Sequence, residues 1–229
     1  MTKGILIMML FNRDRDRPWK FTLTTVLFLV VAYFVKVQNA YVDFLDSSII
    51  DVIQKNQPEW KTLLYRGVTS LAEPKLAIIW ALILAFLLWG FKFKIPALWC
   101  LATLAGGDVI AALVKKFVAR ARPSTHLAID DGFSFPSGHV FGTFLIIAMI
   151  WVVLLPMIAH AWKAWLLRII LIVWMGLVMI SRIYLNAHFP TDTIGAILLA
   201  YLWLQVAEGL YIRFAPMMQN WPLLKRSEI

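Results

Sequence analysis

Six apolar stretches of helical length set the terms on which this chain can fold. They cover residues 19–37, 76–91, 95–114, 138–159, 165–185 and 191–211. Each is close to the ~20 residues a helix needs to cross a ~30 Å hydrocarbon core. A soluble fold could not bury this much: 61% of the 229 residues are hydrophobic, 15% are charged, and mean hydropathy is +0.76. Ordinary soluble domains sit nearer roughly 45–50% apolar and about 25% charged. The stretches are continuous rather than alternating, which favours helices over a transmembrane β-barrel. The fold class expected is all-α: a polytopic membrane protein of six transmembrane helices, forming one domain over residues 1–229. The stretch at 76–91 is short, and Lys75 and Lys92 can snorkel from its ends.

The loops orient the bundle. With the N-terminus inside, Lys3, Arg13, Arg15, Arg17, Lys20, Lys92, Lys94, Lys163, Arg168, Arg213, Lys225 and Arg226 are cytoplasmic, twelve of the 22 basic residues. That bias is thin by count and becomes clear only if Lys115, Arg122 and Arg182 have another reason to face outward. Trp19, Trp89, Trp99, Trp162, Trp165 and Trp221 fall at inner ends, where indole prefers the interface. Residues 5–11 are apolar but short and are followed by the charged block 13–17, a cytoplasmic flank rather than a secretory signal. The net charge of +9 then belongs to anionic lipid and not to nucleic acid. Cys100 stands alone, which excludes an intrachain disulfide and a cysteine zinc cage, and reads as packing. The longest connection, residues 38–75, carries apolar residues at helical spacing over 43–54, an amphipathic helix on the outer surface.

Three short motifs land at outer ends of the spans. Lys115 closes the third span and is followed by Arg122-Pro123. Proline disfavours helix at the residue before it, so the helix stops near Arg122. The two cations can converge on one anion, although basic residues at a membrane edge are usually solvated anchors. Phe135-Pro136-Ser137-Gly138-His139 directly precedes the fourth span. Ser137 is placed as an N-cap and Gly138 lets a ligand approach the backbone. The free N–H groups and dipole of a helix start form an anion site, with His139 in the first turn beside it. The plainer reading is a capped helix with an interfacial histidine. Ser181-Arg182 precedes His188 and Asp192, with Pro190 suited to the first turn of the sixth span. A carboxylate at Asp192 can take one imidazole N–H of His188, fix the tautomer and leave the other nitrogen a better nucleophile. Alternatively, Asp192 only complements the helix dipole.

Separately, each plainer reading is adequate. Together, three cations, two of the chain's four histidines, a serine–glycine helix start and a carboxylate reach one membrane face from four spans. That set describes an anion site with a nucleophile and an acid, which is what phosphoryl transfer requires.

The combination Lys115…Arg122-Pro123, Pro136-Ser137-Gly138-His139 and Ser181-Arg182…His188…Asp192 resembles the signature of the type 2 phosphatidic acid phosphatase superfamily. The motif core spans residues 115–192, and the six-span layout extends the likeness over nearly the whole chain. The resemblance implies that His188 attacks phosphorus and forms a phosphohistidine, that Asp192 orients His188, and that His139 protonates the leaving oxygen. It implies that Lys115, Arg122 and Arg182 bind the phosphate oxygens with Ser137 and the Gly138 backbone, without metal or other cofactor. The expected substrate is a lipid phosphate monoester or diphosphate: phosphatidylglycerol phosphate, undecaprenyl diphosphate or phosphatidic acid. The expected place is a bacterial inner membrane, with both termini cytoplasmic and the site extracytoplasmic. Vanadate-dependent haloperoxidases resemble the same motifs, but they are soluble.

Other polar residues complete the reading. Asp108 lies two helical turns before Lys115 and is expected to support the site from the bundle interior. Lys116 and Arg120 are candidate secondary phosphate contacts. Glu208 reads as snorkelling or ion-paired, and His126 and Asp130-Asp131 as a solvated loop. A phosphotransferase using the same site is one alternative, and a phosphate-lipid flippase leaning on Asp108 and Glu208 is another.

Overall fold

In the computed structural model, which describes residues 15–123, 132–225 and 227, every regular element is a helix. The N-terminal run 5–11, His126 and Asp130-Asp131 lie outside the described residues. The order is α1 (Arg17–Lys36), α2 (Ala40–Gln54), α3 (Glu59–Leu71), α4 (Pro74–Gly90), α5 (Lys94–Val118), α6 (Gly138–Met149), α7 (Ala161–Tyr184) and α8 (Pro190–Met218). A π turn, Ile150–Leu154, and a short 3-10 turn, Leu155–Met157, extend α6.

Five of these units are long and apolar enough to cross a membrane: α1, α5, α6 with its extension to Met157, α7 and α8. The span expected at 76–91 is α4, whose 17 residues reach only ~25 Å at 1.5 Å per residue. With α3, bent from it by 50° at the break, it makes a sixth candidate. The chain is a multi-pass membrane protein with five spans, or six if the bent pair counts as one.

Burial sorts the helices. The most apolar stretch of α6 is half buried within the bundle, against 17% for α1 and 22% for α7. It contacts α4, α5, α7 and α8 and so forms the centre. Close α5–α8 packing relies on Gly106 and Gly107: a Cβ on Gly106 would lie 2.5 Å from the Trp203 ring. Trp203 Nε1 donates to the Thr103 carbonyl at 2.7 Å. Trp99, expected at the interface, is instead buried and donates to the Ala207 carbonyl at 2.9 Å. Arg17 pairs with Glu208 at 2.9 Å, tying α1 to α8. Cys100 is fully buried.

The connection between the first two expected spans holds two helices rather than one. Asn39 caps α2 through Tyr41 N and Val42 N. Its outward face carries Tyr41, Phe44, Leu45, Ile49 and Val52, all exposed, whereas Asp46 is completely buried. In water an amphipathic helix turns its apolar face inward. Here the inward side mixes Asp46 with the partly buried Val42, Ile50 and Ile53 while Asp43, Ser47 and Asp51 stay exposed, and Gln54 Nε2 reaches the terminal carbonyls of α7, Ile183 at 3.0 Å and Tyr184 at 3.3 Å.

Candidate active site

The C-termini of α5 and α7 meet the N-termini of α6 and α8 at one end of the bundle, and local backbone chemistry fixes how. Ala119 closes α5 in a left-handed conformation (φ 56°), its N–H donating to the Lys115 carbonyl. The chain then turns back, and Ser134 N donates to the Arg120 carbonyl at 2.8 Å. At the end of α7 the Arg182 carbonyl accepts both Ala187 N (3.0 Å) and His188 N (3.2 Å). The spacing between Arg182 and His188 is therefore the length of one closing turn. Ser137 N donates to the Asp192 carbonyl at 3.2 Å, joining the start of α6 to α8. Phe135 lies directly on Gly195, where a Cβ would come within 2.3 Å of its ring.

These constraints bring His188, Asp192 and Arg122 into direct contact. His188 Nδ1 lies 3.4 Å from Asp192 Oδ2, and Arg122 Nη1 lies 3.2 Å from His188 Nε2. A guanidinium can only donate, so Nε2 carries the lone pair and Nδ1 the proton. The imidazole is thus held in the tautomer whose free nitrogen faces the cationic side. Asp192 is saturated as an acceptor: Oδ2 also takes Ser134 Oγ–H and Phe189 N–H (2.9 Å), and Oδ1 takes Arg120 Nη1 (3.0 Å). Both His188 and Asp192 are buried.

Burial pushes the His188 imidazole down to about 4, with Arg182 and Arg122 acting in the same direction and Asp192 opposing. The shift favours the neutral ring, so His188 is unprotonated from neutral pH down to about 5. If it is the attacking group, kcat/KM per reactive phosphate species should stay level from pH 7 to 5 and fall with a midpoint near 4. A midpoint at the ordinary value of about 6.5 would contradict this environment.

The other expected residues fall as follows. Lys115 Nζ donates to the Phe133 carbonyl at 3.0 Å. Arg122 also holds the carbonyls of Gly132 and Ala187, each at 2.9 Å. Arg182 is entirely buried, its Nη1 3.4 Å from Thr69 Oγ1. Ser137 Oγ is buried with no hydrogen-bond partner among the described residues. Gly138 and His139 open α6, with His139 buried. Two expectations change. Asp108 does not face the bundle interior; it is exposed on α5, because the inward face is taken by Thr103, Leu104, Gly107 and Ala111. Lys116 is likewise exposed. Arg120, expected beside phosphate, is held by the carboxylates Asp192, Asp46 (2.8 Å) and Asp43 (3.4 Å). The residues on which a flippase reading leans thus stand apart: Asp108 outside, Glu208 paired with Arg17.

Sequence reading missed Ser134 and Asp46. Ser134 stands three residues before the serine–glycine helix start, without a spacing rule to mark it. Asp46 lies in the amphipathic stretch 43–54 with no spacing rule to single it out from Asp43 and Asp51.

Two apolar grooves flank α6. One, of about 390 Å³, lies between α4, α6 and α7 and is lined by Ala72, Ala77, Trp80, Leu84, Thr143 and Ile147 among others. It comes within one helical turn of His139 at Thr143. The second, of about 610 Å³, lies between α6, α7 and α8 and includes Phe144, Met175, Met179 and Tyr201.

Comparison with known proteins adds the following. The PAP2 superfamily profile matches residues 96–213. Phosphatidylglycerophosphatase B of Bacillus subtilis is 26% identical over 80% of this chain and 91% of its own length. Phosphatidylglycerophosphatase B of Haemophilus influenzae is 40% identical over a shorter stretch, 34% of this chain and 32% of its own. A crystal structure of a transmembrane PAP2-type phosphatidylglycerolphosphate phosphatase from Bacillus subtilis superposes with a TM-score of 0.76 at 22% identity. That match covers 85% of this chain and 97% of the other.

Proposed function

This chain belongs to the PAP2 superfamily, and from that premise we propose that it is an integral-membrane lipid phosphatase acting through a phosphohistidine. The observation that carries the reading is the held imidazole: Nδ1 against Asp192, Nε2 open toward a cation. A phosphate drawn to Arg122, Lys115 and Arg182 would take the place of Nε2 in the contact with Arg122. His188 Nε2 then attacks phosphorus; the P–N bond forms as the P–O bond to the lipid breaks, and His139 gives its proton to the leaving oxygen. Water attacks in the second half, its proton returns to His139, and the P–N bond breaks to free phosphate.

The cations and the N–H groups at the start of α6 supply the field that stabilises the transferring group, so no metal enters the scheme. Ser137 Oγ, buried and unpartnered among the described residues, is available to the same oxygens. The groove between α4, α6 and α7 gives a lipid tail an apolar path beside the site. The substrate is a lipid phosphate monoester or diphosphate, with phosphatidylglycerol phosphate or undecaprenyl diphosphate ahead of phosphatidic acid. Names of the Bacillus and Haemophilus relatives favour the first. The setting is a bacterial inner membrane, termini inside and site outside.

The test is phosphate release by the purified protein across these three lipids. At least one should yield free phosphate, vanadate should inhibit, and a chelator should leave the rate unchanged. Transfer of phosphate to a second lipid without release would make it a phosphotransferase. Strong inhibition by a chelator would contradict the metal-free scheme.

A further inference from the structure

From the buried network behind Asp192, we infer that Asp46 and Arg120 are positioning residues for the His188–Asp192 pair, acting as one unit from outside the reacting atoms. The inference rests on the phosphatase reading above. Arg120 is buried and bridges two buried carboxylates, Nη1 to Asp192 Oδ1 at 3.0 Å and Nη2 to Asp46 Oδ2 at 2.8 Å. Thr191 closes the ring. Its hydroxyl accepts from Arg120 Nη1 at 2.7 Å and donates to Asp46 Oδ2 at 2.6 Å, and its N–H donates to Asp46 Oδ1 at 2.9 Å. The Arg120 guanidinium also stacks 3.8 Å from the Phe189 ring centroid. Asp46 therefore satisfies a free N–H at the start of α8 and fixes the arginine that grips Asp192. It does so from α2, far outside the residues that match the family.

Two buried carboxylates, Asp192 and Asp46, share this one cation, with the exposed Asp43 a third and longer contact at 3.4 Å. Burial works to lower the Arg120 guanidinium, but Asp192 and Asp46 outweigh it and hold it above its ordinary value. A lone Arg120 would place its full positive charge on Asp192 and weaken that carboxylate's hold on the His188 proton. Asp46 draws part of that charge away. Asp192 then keeps enough negative field to stabilise the imidazolium character that develops as His188 attacks. The groups facing His188 are Asp192 from α8, Arg182 from α7, and Arg122 and the Ser134 hydroxyl from the segments beside them. Arg120 reaches it through Asp192, and Asp46 through Arg120 and Thr191.

The experiment measures kcat, KM and the pH profile of phosphate release for Asp46→Asn, Arg120→Gln and the double variant, with His188→Ala alongside. Asparagine keeps one oxygen for the Thr191 N–H but places an NH₂ where Oδ2 accepted from Arg120 and the Thr191 hydroxyl, so it removes the charge and releases the far side of Arg120 together. Asp46→Asn should lower kcat about 10-fold or more with KM changed less than about 3-fold, since the phosphate clamp is untouched. Arg120→Gln removes a positive charge near the pair, so the acid limb of kcat/KM should move to higher pH. The double variant should lose no more than Arg120→Gln alone. Unchanged kcat in Asp46→Asn, an unmoved acid limb in Arg120→Gln, or losses that multiply in the double variant would each overturn the inference. If His188→Ala retained activity, the underlying phosphatase mechanism would fail instead, whatever the other variants did.

Discussion

Replacing His188 with alanine is expected to lower phosphate release by at least about 10⁴-fold, the scale seen when a covalent nucleophile is removed. The ring is held on both nitrogens, by Asp192 at Nδ1 and Arg122 at Nε2. Among the described residues, Asp192 and Ser134 lie at Nδ1, away from the attacking Nε2. The cations that would bind phosphate remain, so vanadate or phosphate should still associate with the variant. Binding of phosphate without turnover separates loss of the nucleophile from loss of the site. Release at the parent rate would show that another group attacks.

Asp192→Asn should cost on the order of 10³–10⁴-fold in kcat, the scale of a mis-set histidine tautomer. Asp192 accepts from Ser134, Phe189 N–H and Arg120 while it faces His188. An amide has one oxygen and one NH₂, so one side of that set must face a donor. If the NH₂ points to His188 it forces the proton onto Nε2, which then confronts the Arg122 donor. If it points the other way it confronts Arg120. The fold should survive, because Asp46 still pairs with Arg120 and spares the ~3–5 kcal/mol that an orphaned buried charge costs. Phosphate affinity within a few-fold of the parent, together with collapsed kcat, is the expected pattern. Full activity would reduce Asp192 to a helix-start residue.

Five of the spans and the helix starts at Gly138 and Pro190 were legible because each rests on a strong local signal. Long apolar runs have one stable state in lipid, and Pro190 and the Ser137-Gly138 pair mark helix starts whatever surrounds them. The sequence also placed a helix within Ala40–Gln54. What it could not give was that helix's orientation. Helix α2 hides one carboxylate, Asp46, among partly buried aliphatics, and exposes Phe44 and Val52 together with Asp43 and Asp51. Helix α3 went unread because Trp60, Leu63, Leu64, Val68 and Leu71 form a helical stripe too short and too interrupted by charge to resemble a span. Arg120 was misread for a different reason. Its direction follows from the left-handed turn at Ala119, a conformation that an alanine gives no sign of adopting. Asp108 is expected inward from its two-turn spacing to Lys115 and its depth, whereas the inward face of α5 belongs to Thr103, Leu104, Gly107 and Ala111.

The ring of Asp46, Thr191 and Arg120 also has an evolutionary consequence. Its members lie far apart in sequence, yet none of the three can change without altering what the others balance. They should behave as a single inherited character, gained and lost together among homologues. A chimera that takes its first two helices from a relative lacking this carboxylate should regain its rate only when position 120 is exchanged with them.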